Sequence, residues 1–112
     1  MNPEDITLAQ TPYLELVQRG KWYFARRPNA SAVVCVAATT ERGLLLVEQY
    51  RAAVATTTIE LPAGLAGDIA GEEDEDLVAA AKRELLEETG YVAENWQRIL
   101  AMPSSSGLTS EL

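Results

Sequence analysis

Arg83-Glu84-Leu85-Leu86-Glu87-Glu88-Thr89-Gly90 is the stretch that decides how this chain is read. On a helix, positions three and four apart are neighbours, so Glu84 faces both Glu87 and Glu88. Like charges at that spacing cost about 0.2–0.5 kcal/mol per pair. They also fall in the last turns, where the helix macrodipole is negative and acids are disfavoured. A helix built for stability alone would carry lysines here, so a cation must offset the repulsion. Hard divalent cations take oxygen ligands, and Mg²⁺ commonly uses a few carboxylates together with substrate phosphates. Arg83 is placed to pair with Glu87 and hold one carboxylate still.

Working outward, Asp74 or Asp76 caps a helix that runs to Thr89, and Gly90 supplies a left-handed stop. Leu77, Val78, Ala81 and Leu85 recur at helical spacing and are expected to face the core. Upstream lies a loop over Leu65 to Glu73, rich in glycine and acids. Thr56 to Leu61 reads as a short strand ended by Pro62-Ala63-Gly64. Ala32 to Ala38 and Leu44 to Tyr50 are β-rich apolar runs joined by a turn at Thr39 to Gly43. Tyr13 to Arg27 reads as a hairpin turning at Gly20, and Pro28-Asn29-Ala30-Ser31 breaks it. After Gly90, Ala93 to Met102 reads as a further strand, with Trp96 in the core, before a loop to Leu112. The plan is an α/β or α+β arrangement with a mixed sheet.

Composition narrows the function. The 112 residues suffice for one compact domain. Net charge is −8, with 17 acidic and 9 basic residues, which argues against a nucleic-acid polymer or an anionic membrane as partner. No apolar run approaches the roughly 18 to 20 residues of a membrane span. There is no histidine, which removes His-based triads and His-ligated zinc. The single cysteine, Cys35, has apolar neighbours and reads as a buried structural thiol. The polar, acidic start does not read as a secretory signal, and a cytoplasmic location is the default expectation.

The sequence from Glu75 to Tyr91 resembles the Nudix box. That motif runs glycine, five residues, glutamate, seven residues, then Arg-Glu-apolar-x-Glu-Glu-x-Gly-apolar. The match is complete from Glu75 onward; upstream, Ile69 stands at the strict glycine position and Gly64 lies five residues earlier. The difference reads as a loop insertion over Leu65 to Asp74, which leaves Glu72 and Glu75 as alternatives for one acidic position. Gln49-Tyr50-Arg51 and Glu60-Leu61-Pro62-Ala63-Gly64 are similar to the ADP-ribose pyrophosphatase branch of the Nudix hydrolases.

That resemblance implies a Nudix fold, an α/β sandwich with a mixed sheet and the box helix, preceded by an N-terminal β-hairpin. It implies Mg²⁺, with Mn²⁺ as a substitute, held by Glu84, Glu87, Glu88 and the Ala63 carbonyl, with Arg83 completing the catalytic set. It implies that Arg51 contacts a diphosphate, against the plainer reading of a surface ion pair. Trp22 and Arg27 resemble an adenine-stacking segment, against a packing role for Trp22. Gly107 and Glu111 fit a downstream substrate-binding motif, with Ser106 where proline is expected sixteen residues past the box glycine.

The expected reaction is metal-dependent hydrolysis of ADP-ribose or a related nucleoside diphosphate sugar to a nucleoside monophosphate and a sugar phosphate. The alternatives are a nucleotide-sensing module of the same fold and a hydrolase of a non-adenine sugar nucleotide. The expected organisation is one domain over residues 1–112. Residues 1–30 form an N-terminal β segment that exchanges between the subunits of a homodimer, and residues 31–112 form the Nudix core. The family fold continues with further strands and a second helix, so the chain reads as truncated at its C-terminus.

Overall fold

Strands dominate the first two thirds of the chain, as the β-branched and aromatic runs dictate, and one helix follows. The computed structural model describes residues 2–28, 32–67 and 76–111. The elements are β1 (Asp5–Gln10), β2 (Glu15–Arg19), β3 (Trp22–Arg26), β4 (Ala32–Cys35), β5 (Thr39–Thr40), β6 (Gly43–Leu44), β7 (Val47–Arg51), β8 (Thr56–Glu60), β9 (Ala63–Ala66) and α1 (Leu77–Thr89). This is an α/β fold of the expected class. Its ladders are the antiparallel sheet β1-β2-β3 and the antiparallel pairs β4-β9, β5-β6 and β7-β8. Among the described residues the parallel pairing is a single bridge between Ala25 and Thr109.

The hairpin expected around Gly20 is β2–β3, and β1 adds a third strand to it with a register shift between Thr7 and Ala9. Ion pairs tie this sheet together beside its apolar packing. Asp5, whose side chain is 1% exposed, accepts from Arg19 at 2.6 Å and from Arg26 at 3.0 Å. The Arg19 bond foremost holds the Asp5 carboxyl below its ordinary range. Glu15 takes a second bond from Arg26 at 3.0 Å, and Val17 is fully buried. The C-terminal segment lies against β3: Ala25 N–H donates to Leu108 O at 2.8 Å, and Ser110 N–H donates to Ala25 O at 3.0 Å.

The core sits elsewhere, between α1 and the β4–β9 pair. Val34, Ala66 and Ala80 form its centre, with Leu77 and Ala81 packed on it; Leu85, further along the helix, is also buried. Small residues at 66 and 80 let the helix approach the strands closely. Asp76, not Asp74, makes the observed cap: its carboxylate accepts from Ala79 N–H at 3.2 Å. Asp74 lies outside the described residues. Gly90 stops the helix with φ 76°, a left-handed conformation that costs glycine nothing, and its N–H donates to Leu86 O at 2.9 Å.

Several expectations are corrected. The strand expected over Thr56 to Leu61 does stop before Pro62, as β8. The loop expected from Leu65 does not start there, because a further strand, β9, runs Ala63–Ala66 and pairs with β4, Cys35 opposite Ala63. Pro62 lacks an N–H, yet its carbonyl accepts from Val36 N–H at 2.8 Å and so carries the ladder on. Cys35 is exposed, not buried. Strand alternation explains this: Val34 and Val36 point into the protein, and the residue between them points out. Ala93 to Met102 forms no strand, and Ile99, Leu100 and Met102 are exposed. Trp96 is half-buried, its indole N–H bonded to Ala93 O at 2.8 Å, rather than a core residue. The radius of gyration is 15.9 Å. A compact domain of this length has about 13 Å, so the elements are spread rather than gathered round one centre. No helix among the described residues is long and apolar enough to cross a membrane.

Candidate active site

The buried stripe of α1 runs Leu77, Ala80, Ala81, Glu84 and Leu85, the spacing of one helix face. Glu84 is the anomaly, a carboxylate in core register and only 9% exposed. A close approach to β9 makes room for it. A side-chain carbon at Gly64 would lie 2.1 Å from Glu84 Cδ, far inside contact distance, so only glycine leaves space for this carboxylate. Glu84 therefore rests on the strand backbone one residue from Ala63.

Burial pushes the Glu84 carboxyl above its ordinary pKa; Arg83 pulls it back, and the charges of Glu87 and Glu88 add to the upward push. Arg83 is the local counter-charge. Its Nη1 lies 2.8 Å from Glu84 Oε1 and 3.5 Å from Glu87 Oε2, the pairing expected along the helix. Its Nη2 donates to Leu65 O at 3.1 Å, which fastens the helix to β9. No basic residue lies in the last turn of the helix. Glu84 is thus a buried carboxylate near a negative helix end.

The three helix glutamates share one turn region but are drawn apart. Glu87 leans to Arg83 and is 58% exposed, while Glu88 accepts from Gln49 Nε2 at 3.4 Å. Among the described residues no three acidic, cysteine or histidine side chains converge on one point. Glu72 and Glu75, the alternatives for a further acid, lie outside the described residues, as does Ile69. By chemistry the donors suit a hard divalent cation, because every side-chain candidate is a carboxylate. Soft or imidazole-preferring metals find no ligands here.

Around this centre the structure gathers some of the other candidates and separates others. Arg51 ends β7 and is gripped by Glu60 of β8 through two bonds of 2.7 Å, so the ion-pair reading is seen directly. Trp22 opens β3 and is 67% exposed, with Lys21 Nζ 5.2 Å from its ring centroid. Arg27 follows the far end of β3, and five strand residues span roughly 17 Å, so the pair does not meet around one base. Arg27 instead pairs with Glu111. Gly107 lies in the turn before it, where Ser105 O accepts from Leu108 and Thr109 N–H at 3.0 Å. Arg27, Gly107 and Glu111 thus belong to one neighbourhood beside β3. The roles of Gly64 and Glu60 escaped sequence reading. An acid on an apolar helix stripe was the available signal for the first, and alternation along two paired strands for the second.

These features define an α/β fold with an all-oxygen acidic site at the C-terminal end of one helix. The chain belongs to the NUDIX family: it matches the NUDIX domain over residues 26–107. It is 36% identical over 95 residues to the methanol dehydrogenase activator of Bacillus methanolicus, covering 85% of this chain and 48% of that protein. It is 37% identical over 87 residues to an ADP-ribose pyrophosphatase of Bacillus subtilis, covering 78% of this chain and 43% of the relative. It is 38% identical over 80 residues to an ADP-ribose pyrophosphatase of Mycobacterium tuberculosis, covering 71% and 37%. The chain spans less than half the length of these relatives.

Proposed function

We propose that this chain carries the catalytic helix of a pyrophosphohydrolase acting on ADP-ribose or a related nucleoside diphosphate sugar, with Mg²⁺ as cofactor and Mn²⁺ as its substitute. The observation that carries the reading is Glu84: a buried, destabilised carboxylate in a glycine-lined recess at a helix end that lacks basic residues. Glu84, Glu87, Glu88 and the Ala63 carbonyl are the groups that would hold the cation. When bound, it would supply Lewis-acid stabilisation of the negative charge on the diphosphate oxygens. Arg83 orients Glu84 and Glu87 and fastens the helix to the strand that bears Ala63. Arg51 contributes a guanidinium for the diphosphate oxygens. Water adds at one phosphorus and the bridging P–O bond breaks. The water's proton is released, and the products are a nucleoside monophosphate and a sugar phosphate. Similarity to two ADP-ribose pyrophosphatases supports this substrate class.

Chromatographic product analysis with ADP-ribose, with and without Mg²⁺, tests the reading. AMP and a sugar phosphate should appear only with the cation. Intact ADP-ribose after prolonged incubation with Mg²⁺ would overturn it. Ser106, standing where the resemblance expects proline, favours including guanine and uracil sugar nucleotides in the same panel.

A second reading is a module that binds a nucleotide and acts on a partner protein, favoured by the likeness to a protein named as an enzyme activator. It predicts nucleotide binding without cleavage. The exposed apolar residues Ile6, Leu16 and Tyr23 of the N-terminal sheet support a homodimer through residues 1–30, which a solution mass measurement tests.

A further inference from the structure

The β7–β8 hairpin gathers polar side chains on one face. Directly paired residues share a face, and alternate residues along a strand repeat it. The register sets Val47 opposite Glu60, Gln49 opposite Thr58 and Arg51 opposite Thr56, so Gln49, Arg51, Thr58 and Glu60 stand together. Glu60 grips Arg51 side-on: Nε donates to Oε2 and Nη2 to Oε1, each at 2.7 Å. The Thr58 hydroxyl donates to the same Oε2, so the carboxylate is itself held from a second side. Glu60 is the less exposed partner, with 27% of its side chain open against 46% for Arg51.

An isolated surface pair contributes little to stability, so a third group on its carboxylate calls for another use. Geometry gives it one. A guanidinium has five N–H donors in a rigid fork. The side-on grip uses the Nε–Nη2 edge and leaves donor capacity at the terminal Nη1–Nη2 edge. Two residues away on the same face, Gln49 reaches Glu88 at the end of α1. The charge of Glu88 also adds to that of Glu60 in favouring the protonated guanidinium. The hairpin face therefore meets the acidic helix end.

We propose that Glu60, held by Thr58, is a positioning residue that fixes the Arg51 guanidinium beside the Glu88 end of the helix and presents its terminal edge to a diphosphate oxygen. The proposal rests on the reading of Arg51 as the diphosphate-binding arm. A guanidinium already fixed loses less freedom on binding an anion, which strengthens the contact without adding one.

Glu60→Gln keeps the shape and removes the charge. With ADP-ribose and Mg²⁺, its KM should rise about tenfold, the scale of one weakened charge-assisted bond, while kcat changes less. Because Glu60 acts through Arg51, the double variant with Arg51→Ala should have the kcat/KM of Arg51→Ala alone. Equal loss from Glu60→Gln in both backgrounds would overturn the proposal. A second readout needs no turnover. The Arg51 Nε–H resonance in a ¹H–¹⁵N spectrum should be slow to exchange and should shift when inorganic pyrophosphate is added. In Glu60→Gln it should exchange faster and need more pyrophosphate to shift. Thr58→Val, which removes the hydroxyl that bonds Glu60 and also reaches the Gln49 carbonyl at 3.4 Å, should move the same signal in the same direction by less, and serves if the Glu60 variant fails to fold. A resonance unmoved by pyrophosphate, or unchanged in the variants, contradicts the proposal. A pyrophosphate-induced shift in a protein that never cleaves ADP-ribose would refute the hydrolase reading and leave the positioning role standing.

Discussion

Helix α1 on the β4–β9 pair and the β7–β8 hairpin bring charged groups to the same end of the molecule by opposite means. In the first, packing sets position: Ala66, Ala80 and Leu85 are buried, and Glu84 is confined by the missing side chain of Gly64. In the second, charge sets position: Arg51, Glu60 and Thr58 hold one another on a face open to solvent. A 3.4 Å bond from Gln49 to Glu88 joins the two. The difference teaches that Glu84, on the side proposed to hold a cation, is set by packing, whereas the hairpin, proposed to hold a phosphate, depends on electrostatics that water and protons can reach.

The largest effect is expected at the packed side. Glu84→Gln should lower kcat by roughly 10²–10³-fold, the scale of losing one central electrostatic group. Melting without divalent cation should occur at or above the wild-type Tm, because a buried charge has been removed. A variant that keeps turnover, or one that melts far lower, would break the assignment of Glu84 as a functional and destabilising group.

Gly64→Ala comes next. Its new carbon would displace the Glu84 carboxylate or push the helix off β9. Overpacking of this kind costs about 1–3 kcal/mol, read as a lower Tm, and activity should fall by roughly ten- to a hundredfold. Wild-type behaviour would show that Glu84 is not confined by packing.

The hairpin should answer to pH instead. The Arg51 bonds, and after them the Thr58 bond, hold the Glu60 carboxyl at about 2, down from 4.5. A folded pKa below the unfolded one means that the pair's contribution is complete above about 4.5 and is lost as pH falls towards 2. Carboxyl ¹³C shifts should place the Glu60 midpoint near 2, and a midpoint near 4.5 would dissolve the contrast between the two regions.

The smallest effect is expected at the link. Gln49→Leu removes one long hydrogen bond and should change kcat/KM by about two- to fivefold with Tm nearly unchanged. A larger loss would mean that hairpin and helix act as one unit.

Most of the helix was legible in the residues. Asp76, the apolar spacing and Gly90 are local signals, and the clustering of like-charged glutamates at a negative helix end can be read without any knowledge of tertiary structure. Reading was poorer where a neighbour decides. The run around Cys35 looks buried on both sides, but only the face bearing Val34 and Val36 is covered. Ala93 to Met102 has the composition of a strand, yet Ile99, Leu100 and Met102 are exposed and no ladder partner is present among the described residues. β9 was hidden because glycine and proline signal a break unless a partner strand accepts them, as β4 does. Glu60 and Thr58 could not be joined to Arg51 without the hairpin register, which short loops leave open to a shift by one. Trp22 and Arg27 were close in sequence but are kept apart by the extended strand between them.

The central claim is that the glutamates at the end of α1 hold a divalent cation. Titrating Mn²⁺ into wild-type protein and Glu84→Gln, with free ion followed by electron paramagnetic resonance, tests it most directly. Wild-type protein should remove the free-ion signal at micromolar to millimolar ion concentrations, on the order expected for a carboxylate site, and Glu84→Gln should leave most of it. Superimposable titrations of the two proteins would contradict the account.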